Sequence, residues 1–233
     1  MSRLLCLALF SFFISFNQKP AMGQVPSTGL KMGDRIVFLG DSITQAGAGP
    51  MGYVTLVRNA LEKDKKELNI VVIGAGISGN KVLDLAGRLD QDVIDKKPTI
   101  VVIYIGINDV WHGENDSTKG TTLKQFEEGL NKLIKRIQKS GARVILATPS
   151  VIGEKHDGSN KLDAKLDQYA NITRKVAKEH KTGLCDLRKA FVDYLKTANP
   201  DNKEAGILTP DRVHLNDAGN QFVAGEMLKA LGK

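Results

Sequence analysis

The sequence predicts an α/β fold in which helices cover both faces of a central parallel sheet. Apolar runs of strand length alternate along the chain with longer segments of helical periodicity, the order typical of parallel sheets. Residues 100–105 form a continuous apolar run, as in a central strand that is buried on both faces. Residues 121–139 carry apolar side chains every three or four positions, which predicts an amphipathic helix. The 233 residues suit one three-layer α/β/α sandwich.

Each predicted strand is a short apolar run that ends near a glycine or a polar residue. In chain order the predicted strands are residues 35–39, 69–73, 100–105, 143–147 and 183–186. Each predicted helix shows apolar residues at spacings of three and four. The predicted helices are residues 53–67, 81–96 with a break near Gly87, 121–139, 162–180, 187–198 and 217–231. The glycine-rich residues 74–79 predict a turn, and polar segments between the other elements predict loops.

The amino-terminal residues have the pattern of a secretory signal peptide. A basic residue precedes an almost wholly apolar run over residues 4–16, which is too short to span a bilayer comfortably. Ala21-Met22-Gly23 then supplies small residues at the −3 and −1 positions of a cleavage site. An uncleaved anchor is the alternative. We expect a secreted or periplasmic protein without stable membrane insertion, composed of a signal peptide at 1–23, a leader at 24–33 and one domain at 34–233.

Charge and cysteine content exclude several classes of partner. The formal net charge is +7, and it falls to +5 once Arg3 and Lys19 are removed with the signal peptide. Because lysines and acidic residues alternate over residues 62–67, the charge is not clustered as nucleic-acid binding requires. Cys185 is then the one remaining cysteine, and no zinc-ligand spacing occurs. We expect no disulfide, metal or cofactor, and the sequence makes no prediction of the oligomeric state.

Residues suited to catalysis follow three of the predicted strands and recur in the last loop. Ser42 follows the first strand, Gly76 lies in the turn after the second, and Asn108 follows the third. Because the carboxyl ends of parallel strands share one edge, these residues are expected to meet in one crevice. The last loop, with Asp211 and His214, can fold over the same edge.

These residue types are the ones that acyl transfer requires. A serine hydroxyl becomes a strong nucleophile only when a base takes its proton, and His214 is the candidate base. Asp211, three residues earlier, can orient the imidazole. Negative charge on the former carbonyl oxygen needs preorganised donors, for which the N–H groups of Ser42 and Gly76 and the amide of Asn108 are candidates. A Ser/Thr turn without a catalytic role is the alternative for Ser42.

Four short blocks resemble a known family. They are Gly40-Asp41-Ser42-Ile43-Thr44, Gly76-Ile77-Ser78-Gly79, Gly106-Ile107-Asn108-Asp109 and Asp211-Arg212-Val213-His214. In this order they resemble the blocks of SGNH hydrolases of the GDSL esterase/lipase type, and the resemblance spans residues 35–231. It implies a flavodoxin-like sandwich and ester hydrolysis without a metal. It also implies a role for each matching residue: Ser42 as nucleophile, Gly76 and Asn108 as oxyanion donors, His214 as base and Asp211 as its partner.

Three residues beside these blocks are candidates for substrate binding. Asp41 adjoins the predicted nucleophile, and Trp111 and His112 follow Asn108 closely. Trp111 is the only tryptophan, and it is expected either to contact a sugar or acyl group or to serve in packing. The loops are short and contain no large apolar lid. Relatives of this compact kind include carbohydrate acetylesterases, so the resemblance implies a small acyl substrate, with acetyl groups on a carbohydrate as the first expectation.

Other functions are compatible with parts of the sequence. A lysophospholipase or thioesterase is the enzymatic alternative, and acyl transfer to an acceptor other than water would use the same residues. A catalytically silent carbohydrate-binding scaffold is the alternative outside enzymes. Residues 74–79 also match the glycine spacing of dinucleotide-binding turns. That interpretation is disfavoured because the next strand ends at Ile105-Gly106 without the acidic residue that would bind the ribose.

Overall fold

A computed structural model describes residues 29–114 and 116–233, and it has a five-stranded parallel sheet at its centre. The strands are β1 (Arg35–Gly40), β2 (Val71–Gly76), β3 (Ile100–Tyr104), β4 (Arg143–Ala147) and β5 (Gly183–Cys185). Their order across the sheet is β2-β1-β3-β4-β5. Each neighbouring pair is parallel. The predicted parallel α/β architecture is therefore confirmed.

Eight α-helices flank this sheet within the described residues. They are α1 (Ser42–Gly47), α2 (Tyr53–Asp64), α3 (Val82–Asp92), α4 (Ile107–Trp111), α5 (Leu123–Lys139), α6 (Asp163–Glu179), α7 (Leu187–Ala198) and α8 (Asp217–Leu231). Helix α8 packs against α2 and α7, while α5 packs against α3 and α6, which gives the layers on the two sides of the sheet. In the described part of the chain, no helix combines the length and apolarity that crossing a membrane requires.

The core follows the hydrophobic pattern of the sequence. Strand β3 is buried along its whole length, because helices cover both faces of the sheet at its centre. Helix α5 begins after Thr122, whose hydroxyl accepts from the Gln125 N–H while the Gln125 side chain accepts from the Thr122 N–H. Its apolar stripe, including Phe126 and Leu133, is buried against the sheet layer. Cys185 is also buried, and burial raises the pKa of its thiol to about 12.

Several local elements differ from the sequence-based expectations. Strand β2 continues through Gly76, so the first half of the glycine-rich stretch is strand rather than turn. Helix α3 passes Gly87 unbroken and ends at Asp92, because the buried Leu85 and Leu89 offset the roughly 1 kcal/mol that an interior glycine costs. Helices α1 and α4 were not predicted, because six and five residues are too few to show a helical period.

The predicted signal peptide, residues 1–23, lies outside the described residues. Of the predicted leader, residues 29–33 are described and lie against the domain. Leu30 packs on the core, and the Gly33 N–H donates to the Leu68 carbonyl at 2.7 Å.

The strand register brings the predicted functional segments to one edge. Gly40 at the end of β1 pairs with Gly76 of β2 and with Tyr104 of β3, so these three strands end at the same level. Strand β2 lies on one side of β1 and β3 lies on the other. The direction in which strands are added therefore reverses at β1, and a topological switch point lies between β1 and β3. Open α/β sheets bind ligands in the crevice at such a point.

Candidate active site

Ser42 lies at the amino terminus of α1, immediately beyond the end of β1. Asp41 caps this helix, and its Oδ1 accepts a hydrogen bond from the Ile43 N–H at 2.9 Å. The strand–cap–helix sequence places the serine side chain at the carboxyl edge of the sheet. There Ser42 Oγ lies 2.9 Å from Nε2 of His214, a residue 172 positions away in the chain.

Asp211 holds both the ring and the backbone of His214. Its Oδ2 lies 2.6 Å from His214 Nδ1, while its Oδ1 accepts the N–H groups of Val213 and His214 at 3.1 and 2.8 Å. Partial burial acts to raise the pKa of Asp211, but these hydrogen bonds outweigh it and the pKa is lowered. The ionised carboxylate accepts from Nδ1–H, which leaves Nε2 to accept the proton of Ser42. The three residues therefore form a continuous hydrogen-bonded chain.

The predicted substrate-contacting Trp111 lies at the end of α4, beside this chain. Its ring is half-buried and meets the His214 ring edge-to-face, with centroids 6.5 Å apart. The side chains of His214 and Asp211 are 37% and 48% exposed. The described residues therefore leave the site open at the surface with an aromatic wall, and a contact between Trp111 and substrate stays a prediction.

Asn108 sits in the first turn of α4, and its side chain is almost fully buried. Its Nδ2 donates to the Asn80 carbonyl at 3.0 Å, which uses one amide hydrogen and leaves the other available. The neighbouring Asp109 carboxylate accepts the Val82 N–H at the start of α3, with both oxygens 3.2 Å away. Burial raises the pKa of Asp109 to about 6. These contacts fix α4 against the loop between β2 and α3.

The structure corrects the prediction that Gly76 is an oxyanion donor. Gly76 is the last residue of β2, and a Cβ there would overlap the backbone of Gln45 in α1. The N–H of Ile77 donates to Gly40 of β1, so the N–H of Gly76 points to the opposite side, the free edge of the sheet. Gly76 is therefore a glycine for close packing, and its N–H faces away from Ser42.

Gly79, three residues later, fits the donor role that Gly76 does not. Its φ of +77° suits glycine, and it directly precedes Asn80, whose carbonyl holds the Asn108 amide. Among the described residues the Gly79 N–H has no hydrogen-bond acceptor. The sequence contained a signal for this residue, because Gly79 is the last glycine of the Gly-Ile-Ser-Gly block.

Arg88, which no motif marks, holds this loop in place. Its guanidinium donates to the Gly40 carbonyl of β1 at 2.6 Å, to the Ala75 carbonyl of β2 at 2.9 Å and to the Asn80 side chain at 2.7 Å. It also pairs with Asp92 at 2.8 Å. The planar guanidinium of Arg88 therefore connects the loop that contains Gly79 to the ends of β1 and β2 by hydrogen bonds.

Of the two other predicted substrate-binding residues, the structure contradicts Asp41 and leaves His112 untested. Asp41 is 2% exposed and caps α1, so the prediction that its side chain binds substrate is wrong. Burial raises its pKa to about 7. His112 is exposed at the end of α4, and partial burial together with the nearby Lys81 lowers its pKa. No described side chain of the Ser42–His214–Asp211 group bonds to His112, and a contact between His112 and substrate stays a prediction.

Metal-ligating residues are not grouped in the described ranges, where no three His, Cys, Asp or Glu side chains lie together as a cation site. The arrangement at the sheet edge instead supplies a serine hydroxyl, an imidazole acceptor, an ionised carboxylate and several free N–H donors. These are the groups needed to activate a nucleophile and to stabilise an oxyanion.

Comparisons with known proteins agree with this chemistry. The model of the GDSL-like lipase/acylhydrolase family matches residues 38–222. The chain is 35% identical over 215 residues to an acetylxylan esterase of Geobacillus stearothermophilus, covering 86% of this chain and 94% of that protein. It is 24% identical over 211 residues to a rat isoamyl acetate-hydrolyzing esterase 1 homolog, covering 85% and 82%.

Solved structures give the same result. The crystal structure of an acetyl xylan esterase named AlAXEase superposes with a TM-score of 0.81 at 47% identity, covering 84% of this chain and 98% of that one. Both the fold and the sequence therefore relate this chain to ester hydrolases. The chain belongs to the GDSL-like lipase/acylhydrolase family and is a carboxylic ester hydrolase.

Proposed function

We propose that this protein hydrolyses acetyl esters on carbohydrates, with acetylated xylan or its oligosaccharides as the substrate class. The observation that carries the proposal is the chain Ser42–His214–Asp211, joined by hydrogen bonds of 2.9 and 2.6 Å at the open edge of the sheet. The kinship to acetylxylan esterases supports the acetylated carbohydrate. The open site supports it further, because a polysaccharide side group must reach the serine while the rest of the polymer lies outside.

The first half of the reaction forms an acetyl-enzyme. Ser42 Oγ attacks the ester carbonyl carbon while His214 Nε2 accepts the hydroxyl proton. Asp211 stabilises the imidazolium that forms and keeps the ring oriented. The oxyanion of the tetrahedral intermediate receives hydrogen bonds from the N–H groups of Ser42 and Gly79 and from the free amide hydrogen of Asn108. The C–O bond to the sugar then breaks, and His214 returns its proton to the sugar oxygen.

The second half releases acetate. A water molecule gives a proton to His214 and attacks the acetyl carbonyl, and collapse of the second tetrahedral intermediate returns the proton to Ser42. The exposed flank of His214 gives this water direct access. Every proton in the cycle passes through Nε2 of one histidine, so no second base is required.

The test is hydrolysis of 4-nitrophenyl esters from acetyl to palmitoyl, followed by acetate release from acetylated xylan. We expect preference for acetyl, acetate release from xylan, and loss of both activities in Ser42→Ala. Ser140→Ala is the matched control, because Ser140 caps the far end of α5 and its hydroxyl bonds only the Ile137 carbonyl. Preference for long acyl chains would favour a lysophospholipase or thioesterase instead. Glycan binding without turnover would favour a silent scaffold.

Export belongs to the same proposal. The apolar run and the small residues at Ala21 and Gly23 support removal of a signal peptide, and a polysaccharide substrate is met outside the cytoplasm. Mass spectrometry of the protein secreted or released from the periplasm of a bacterial host is expected to find a chain that starts near Gln24. Recovery of the intact chain in the membrane fraction would favour the uncleaved anchor.

A further inference from the structure

We propose that a cavity lined by Arg212, which lies between Asp211 and His214 in the chain, is a subsite for one sugar unit of the substrate chain. The inference rests on the proposed function and deepens it. The cavity has a volume of about 190 Å³ and lies between the loop before α6 and the loop before α8. At roughly 30 Å³ per water molecule it has room for about six waters, which suits a single pyranose ring.

Two walls of the cavity belong to segments that touch the catalytic histidine. Arg212 lines one wall and lies between Asp211 and His214 in the chain. Glu114 lines another wall and follows Trp111, whose ring meets the His214 ring, by three residues. Arg212 therefore connects the cavity to the active site, because it lines the cavity and joins the two residues Asp211 and Val213 that precede His214. A glycan whose acetyl group reaches Ser42 can place a neighbouring unit there.

The lining has the chemistry that a sugar ring requires. The partly exposed Leu162 provides an apolar contact for the C–H face of a pyranose. Lys155, Lys161 and Glu114 provide charged donors and an acceptor for hydroxyl groups. Within the described chain, the ammonium and carboxylate groups of these three residues have no hydrogen-bond or ion-pair partner. They are therefore available to a ligand without breaking an existing contact.

The wall next to the histidine is held in shape before any ligand arrives. Arg212 has a φ of +80°, a left-handed conformation that costs a non-glycine residue about 1–2 kcal/mol. The Gly153 N–H holds its carbonyl at 2.9 Å, and its guanidinium pairs with Glu204 at 2.9 Å. Residues kept in such conformations cluster at functional sites, because the surrounding structure must stabilise them. A preformed wall lowers the entropy lost when a sugar binds.

The experiment compares two substrates of the full protein and its variants. An acetylated xylotriose reaches the cavity, whereas 4-nitrophenyl acetate has no second sugar to place in it. We expect Lys161→Ala and Glu114→Ala each to lower the ratio of kcat/KM for the oligosaccharide to kcat/KM for 4-nitrophenyl acetate about five- to tenfold, mainly through KM. Lys139→Ala is the matched control, an exposed lysine at the end of α5 that should leave the ratio unchanged.

The outcomes separate this inference from the proposed function. An unchanged ratio in both cavity variants would overturn the subsite, as would an equal loss on both substrates. If the wild-type protein hydrolyses 4-nitrophenyl acetate but releases no acetate from any acetylated xylo-oligosaccharide, the proposed carbohydrate substrate fails first. That failure appears in the wild-type protein, before any variant is compared.

Discussion

Glu154 anchors the loop that carries Asp211 and His214, although no sequence motif marks it. Its side chain is fully buried. Its Oε1 accepts the N–H groups of Leu208 and Thr209 at 2.7 and 2.6 Å and the Thr209 hydroxyl at 2.9 Å. Its Oε2 accepts the Ile207 N–H at 2.8 Å. Four donors of residues 207–209 therefore converge on the Glu154 carboxylate. The last of these residues, Thr209, lies two positions before Asp211 in the chain.

Glu154→Gln keeps the shape of this side chain and removes half of its accepting capacity. The amide oxygen can replace Oε1, but the NH₂ group then faces the Ile207 N–H. This leaves a buried donor unpaired, which costs about 1–3 kcal/mol of stability. The three remaining bonds lose their charge assistance, about 1 kcal/mol each. Easier desolvation of an amide offsets part of this cost. We expect the free energy of unfolding to fall by about 3 kcal/mol.

The assay is urea unfolding together with turnover of 4-nitrophenyl acetate. Because the loop sets the position of His214 against Ser42, we expect kcat to fall about tenfold or more in the folded variant. Glu128→Gln is the control, because Glu128 is an exposed residue of α5 whose carboxylate makes no hydrogen bond or ion pair within the described chain. A Glu154→Gln protein as stable and active as the control would refute the anchoring role.

Further predictions concern the glycine loop, a buried acid and the arginine fork. Gly76→Ala should destabilise the protein strongly, because the added Cβ overlaps the α1 backbone. Gly79→Ala places its Cβ in open space, so it should cost only about 1–2 kcal/mol of stability for the positive φ while lowering kcat. Equal urea midpoints for the two variants would contradict this. Asp41 has a folded pKa of about 7, above the unfolded value of about 3.9, so the folded state holds the extra proton and stability declines as pH rises from about 4 to 7. Asp41→Asn should therefore weaken the fall of Tm between about pH 4 and 7. An unaltered dependence of Tm on pH would contradict the raised pKa of Asp41. In Arg88→Lys the ammonium group lacks the planar set of donors that lets the guanidinium reach the three acceptors at once, so kcat should fall with KM little changed. Wild-type kinetics in this variant would argue against a positioning role for Arg88.

Most of the sheet and the long helices could be predicted from the sequence. The run at residues 100–105 predicted β3, and the stripe at 121–139 predicted α5, because burial on two faces or on one face leaves a direct pattern in the residues. Short elements leave no such pattern. Helix α1 is defined by the Asp41 cap, and the unbroken α3 depends on contacts made by Leu85 and Leu89.

The sequence by itself determined the fold class and the residue types of the site, since the parallel topology fixes where the segments after β1 and β3 lie. Only the tertiary structure decided which atoms meet. Asp211 and His214 reach Ser42 because a loop more than 160 residues away folds over the same edge, a non-local contact that local patterns do not specify. The structure assigned the oxyanion donor to Gly79 rather than Gly76 from the direction of one N–H. Successive N–H groups along β2 point to opposite sides, so the Gly76 N–H points to the free edge of the sheet. Asp41 was assigned to substrate from its position in the chain, but the structure uses its carboxylate as a buried helix cap.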